Sequence, residues 1–137
     1  HSYGTGYCFA SAHVEVSGDE DMFHSHDRID NIEKDIYERM RVHLVLHMDP
    51  IEVNDETVNN MRRIVSEDVC RLGKELSSEF NIHDFRMVTG TTHTNLIFDI
   101  AVPYECKNTN AQIEKLVKNR IRAINENYFA IVNIDRQ

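Results

Sequence analysis

The sequence predicts an α+β protein in which a strand–helix–strand unit occurs twice. Three observations carry this expectation: alternating apolar segments closed by turn residues, three stretches with apolar side chains at helical spacing, and a constant register between the two copies. His13 and Asp99, His47 and Asn133, and Asp49 and Asp135 are each 86 positions apart (99 − 13, 133 − 47, 135 − 49). Gly4 and Gly90 keep the same offset. The second copy reads αββαβ. The first reads as the same module without its leading helix and most of its first strand, giving a first module over residues 1–52 and a complete one over 53–137.

Each element has a local reason. Tyr7 to Val16 (YCFASAHVEV) alternates between YGTG and SGDED, which predicts a strand bounded by turns. From Ser25 to Met40, Ile29, Ile32, Ile36 and Met40 share one helical face, with Asp27 and Asp30 expected in the first turns, where the helix dipole favours a carboxylate. The strand Val42–Asp49 is expected to end at Pro50. A longer helix is capped by Asn54 or Asp55 and carries a stripe of Val58, Met61, Val65, Val69, Leu72, Leu76 and Phe80; Gly73 weakens it without breaking it. Strands follow at His83–Gly90 and Thr94–Pro103. A third helix over residues 110–125 places Ile113, Leu116, Val117, Ile121 and Ile124 toward a core, and a last strand covers Tyr128–Asp135.

Composition narrows the function. The 137 residues are 41% hydrophobic and 28% charged, a globular balance. Fifteen basic residues against 23 acidic ones give a formal charge of −8, which disfavours a phosphate backbone as partner and favours cations. No nucleic-acid role is expected. Cys8, Cys70 and Cys106 form no CxxC pair and read as reduced packing thiols. No apolar run reaches membrane-spanning length and the start of the chain lacks the blocks of a signal peptide, so this chain by itself is not expected to span a membrane. Neither GxSxG, HExxH nor a phosphate-binding glycine loop occurs, and no enzymatic activity is expected.

The eight histidines hold the chemistry. In a strand, residues i and i+2 point to one side, so His43, His47 and Asp49 share a face opposite Leu44, Leu46 and Met48. If the strand containing His13 lies alongside, its imidazole comes within reach of His47 and Asp49, and His26 on the intervening helix adds a further nitrogen. Two or three imidazoles with one carboxylate suit a divalent cation, zinc first, with manganese, iron or cobalt as alternatives. The plainer reading is that each histidine is a hydrogen-bonded edge residue and that Asp49–Pro50 is a strand-ending turn. His24, His43 and His93 are read as solvated.

The segments ASAHVEV, SHDRIDNIEKDI and HLVLHMDPI, in this order and spacing, resemble the cytoplasmic C-terminal domain of the cation diffusion facilitator, or cation efflux, transporters; the likeness covers Gly4 to Ile51 and is fainter beyond, where NIHDFRMV is similar to the family's first-strand motif. The resemblance implies a ferredoxin-like αββαβ module, here duplicated, that sits at the cytoplasmic face of the cell membrane, dimerises and binds divalent metal. By position it places ligands at His13, His26, His47 and Asp49. In the second module it retains His83 and Asp135, an oxygen-rich variant. It implies a homodimer regulating cation/proton antiport by its own membrane domain, with metal closing two acidic modules that otherwise repel. An assembly module without physiological metal is the alternative; a metal-dependent hydrolase is a third, weaker one.

Overall fold

The computed structural model describes residues 1–137 and divides into two units, His1–Ile51 and Glu52–Gln137. In the first, strand β1 (Cys8–Ser17) leads through helix α1 (Met22–Met40) to strand β2 (Val42–Ile51), which pairs with β1 in parallel from Cys8↔Val42 to Ser17↔Ile51. A parallel pair needs a crossover, and α1 supplies it. Gly18 closes the far end: its N–H donates to Ile51 O at 2.9 Å, and a Cβ at this position would stand 2.9 Å from that oxygen. Within this unit only Ile29 among the apolar side chains is buried, and Phe9, Ile32, Tyr37 and Val45 remain exposed.

Two expectations are corrected here. Helix α1 begins at Met22, three residues before the apolar stripe suggests, because the Asp21 side chain accepts from His24 N; no acidic residue then lies in its first turn, and Asp27 and Asp30 fall further along. Nor does Pro50 end β2: it pairs with Val16, and the ladder continues to Ile51. Helix α1 ends with Arg41 in the left-handed region, φ 56°, where its N–H reaches Tyr37 O.

The second unit is complete. Helix α2 (Asp55–Glu75) is capped by Asn54, strand β3 (Asn81–Thr89) pairs antiparallel with β4 (Thr94–Val102), and helix α3 (Asn110–Ile124) leads to β5 (Tyr128–Arg136), parallel to β4. Thr109 and Gln112 form a reciprocal capping box at the start of α3. This is the expected ferredoxin-like αββαβ order, and the fold class is α+β. Leu96, Phe98, Ile100 and Val102 project from β4 into a core shared with Val65, Val69 and Leu72 of α2 and Ile113, Val117 and Ile121 of α3. Phe80 belongs to that core, but not as part of the helix, which ends before it. Gly73 permits the chain to fold back, since a Cβ there would stand 2.8 Å from Phe80 N. The repeat is visible in the elements: β1 and β4 begin at Cys8 and Thr94, β2 and β5 at Val42 and Tyr128, and the pairs His13↔His47 and Asp99↔Asn133 occupy the same rung. No helix is long and apolar enough to cross a membrane.

Candidate metal centre

The parallel β1–β2 ladder decides the geometry of the first unit. His13 and His47 are direct cross-strand partners, and Asp49 lies two residues beyond His47 on the same face. The His13 and His47 rings meet edge to face with centroids 4.9 Å apart. Between them, Asp49 Oδ2 lies 2.9 Å from His13 Nδ1 and Oδ1 lies 3.5 Å from His47 Nε2. Both imidazoles are open to solvent, at 73% and 71%, whereas the Asp49 side chain is only 17% exposed. The carboxylate thus forms the covered floor of the group and the histidines its open walls. One ligand atom from each residue can be chosen so that all three lie within 4.8 Å of one another. That donor set, two borderline nitrogens and one oxygen, fits zinc and its first-row neighbours, and it leaves coordination positions open to solvent.

The other residues named from the sequence fall elsewhere. His26 is exposed on α1 and stands outside this group. His43, read as solvated, instead lies between the rings of Tyr7 and Tyr37, with centroids 5.0 and 4.6 Å away. His24 binds Glu20 Oε1 at 3.0 Å, and His93 packs edge-on against Phe129. In the same corner of the first unit, the Glu20 carboxyl is held below its ordinary value, chiefly by the Ser25 hydroxyl and then by Arg28 and His24.

In the second unit, His83 Nε2 lies 3.8 Å from Asp135 Oδ2, while Nδ1 lies 3.2 Å from Asp84 Oδ2. A second group of potential ligands is His83, Asp84 and Asp99. Strand alternation hides Asp84, since neighbours in a regular strand face opposite ways. Asp99 was legible as the positional counterpart of His13, although not as a ligand.

A comparison with protein-family models bears on the first unit alone. Residues 1–51 match the model described as the cation efflux protein, cytoplasmic domain. In this stretch the chain is similar to that family. The match ends where the first unit ends, and residues 52–137 lie outside it. Comparisons with curated proteins and with solved structures gave no match. The His13–His47–Asp49 group lies wholly within the matched residues, on the paired strands β1 and β2.

Proposed function

We propose that the chain is a cytosolic regulatory part of a cation efflux transporter, in which the first unit binds a divalent cation through His13, His47 and Asp49 and pairs with a second copy. The observation that carries this reading is the Asp49 carboxylate, which sits between two imidazoles on a surface otherwise open to solvent. A bound cation supplies positive charge there, and the net charge of −8 makes it a bridge between chains that otherwise repel. Zinc is the favoured ion, because imidazole predominates among the donors. His26 is exposed and available to an ion held by a second copy. The membrane part of the transporter would carry the cation/proton exchange, and closure of paired domains would tune it.

The test is calorimetric titration of chelator-stripped chain with zinc, with sedimentation at each metal ratio. Saturable zinc uptake with a metal-dependent gain of dimer is expected, and His47→Ala abolishes both. The exposed Phe9, Ile32, Tyr37 and Val45 favour a second reading, assembly without metal. Under that reading a dimer forms in chelator and His47→Ala leaves it intact.

A further inference from the structure

We propose that the open edge of β5 in the second unit docks an extended segment of a partner protein in which carboxylate and apolar side chains alternate. The surface lies beyond the residues that the family model matches and does not depend on the first unit binding a cation.

Charge singles the surface out. The chain carries a formal charge of −8, yet Lys115, Lys118 and Arg122 of α3 line one groove together with Phe129 and Ile131 of β5, and no carboxylate lines it. The helix sorts its cations: Arg120 turns to Asp68 and Glu75 on α2, whereas Lys115, Lys118 and Arg122 are exposed. Lys118 pairs with Glu114 one turn earlier, and the Arg122 guanidinium lies 4.9 Å from the centre of the Phe129 ring. His93 meets the same ring edge-on at 5.5 Å, so Phe129 is held in place while it stays open to solvent. In an acidic chain, an anionic partner is drawn to this patch and repelled elsewhere, which fixes where it docks.

The strand supplies a second, independent reason. β5 pairs with β4 from Thr94↔Tyr128 to Val102↔Arg136 without a bulge, and no strand flanks its other side. Backbone N–H and C=O groups on that side have no ladder partner, and such an edge pairs readily with another chain. Proteins ordinarily blunt an edge with lysine, proline or a bulge on the strand itself. YFAIVNID, Tyr128 to Asp135, holds neither lysine nor proline and no charge before Asp135. Instead Phe129 and Ile131 stand 40% and 50% exposed on the face opposite buried Ala130. The cations stand beside the edge, on α3, where they flank an added strand and do not obstruct it.

Together these features specify the occupant. In an added strand, successive side chains point to opposite faces. One set lies on the side of the sheet that α3 covers, near Lys115, Lys118 and Arg122, and calls for carboxylates. The other lies beside Phe129 and Ile131 and calls for apolar groups. Backbone pairing supplies affinity, and the alternation supplies selection. A second copy of β5 fits poorly, because pairing edge to edge brings two sets of α3 cations together.

The test is fluorescence anisotropy of a labelled synthetic peptide, as long as β5 and alternating glutamate with valine, titrated with the full chain in chelator. Saturable binding is expected, and combining Lys115→Glu with Arg122→Glu should weaken it by about tenfold or more, as reversal of two exposed ion pairs does. Ile131→Lys, which puts a lysine on the strand, should also weaken it, with circular dichroism unchanged in every variant. Methylating the peptide nitrogens that face β5 removes the backbone donors and should abolish binding. The proposal is overturned if the peptide does not bind, if the methylated peptide or one alternating lysine with valine binds as well, or if the variants bind as wild type does. It also falls if phosphatidylserine vesicles bind through Lys115 and Arg122 and the peptide does not displace them, which assigns the patch to a lipid surface. A dimer present in chelator that Ile131→Lys dissolves would assign the edge to a second copy and overturn it too.

Discussion

His13 Nδ1 and Asp49 Oδ2 are 2.9 Å apart although 36 residues separate them in the chain. The contact exists because β1 and β2 run in parallel and in a register that places His13 against His47, with Asp49 one rung-pair further along the same face.

Asp49 is the least exposed member of that group and the one that meets both rings. Asp49→Asn preserves its shape and removes its charge. Zinc affinity measured by calorimetry is expected to fall by more than the roughly 10–100-fold that outer partners of a metal ligand contribute. Unchanged affinity would place the zinc elsewhere.

Gly73 lets the end of α2 meet the following chain: a Cβ would lie 2.8 Å from Phe80 N and 3.0 Å from Phe80 Cγ. Phe80 is fully buried and has nowhere to retreat. Gly73→Ala should therefore destabilise by about 1–3 kcal/mol, as overpacked sites do, even though alanine is the better helix former. A urea midpoint that rises instead would show that the helix end relaxes freely.

Arg120 on α3 bridges to Asp68 at 3.0 Å and to Glu75, both on α2, and these two carboxylates hold its guanidinium pKa above the ordinary value. The side chain is largely covered, so the network should exceed an isolated surface pair. Arg120→Ala is expected to lower stability by about 1 kcal/mol in denaturant titration. Zinc binding at the His13 group should not change.

Acid should loosen the start of α1. The Glu20 carboxyl, with the Ser25 hydroxyl donating to it at 2.6 Å and Arg28 and His24 beside it, titrates below its ordinary value of 4.5 in the folded chain. A depressed carboxyl contributes stability that is present above 4.5 and lost as the pH falls through the folded-state value. Amide exchange near Ser25 is expected to accelerate in that acid window, and Glu20→Gln should remove this pH-dependent component. Coincident acid profiles for the two proteins would contradict it.

Much of this architecture is legible in the sequence because period and register are local properties. The 86-position offset read from His13/Asp99 and His47/Asn133 reappears in the first residues of β1 and β4 and of β2 and β5. The helical stripe of α3 is also plain, since Ile113, Val117 and Ile121 are all buried. Boundaries were harder. Met22 and Phe23 open α1 yet stay exposed, so they add nothing to the stripe that marks the helix. Phe80 continues the spacing of Leu76, but Ser77 has turned into the left-handed region before it. For the candidate sites, strand alternation brings His47 and Asp49 together, and only the pairing of strands adds His13. Asp84 lies beyond such reasoning: the β3–β4 register shifts between His83 and Arg86, a departure from period two that nothing in HDFR announces.

Buried apolar side chains are scarce in His1–Ile51, with Ile29 alone buried, so a cation bound at the proposed site would have thermodynamic leverage over that unit. A ligand present at a hundredfold excess over its dissociation constant stabilises the state that binds it by about 2.7 kcal/mol. Set against the small reserve of a thin core, such a contribution is a large share of what keeps β1, α1 and β2 ordered. The unit would therefore sense the ion through how often it opens as much as through where it moves, and cation concentration would be recorded as residence time in the ordered state.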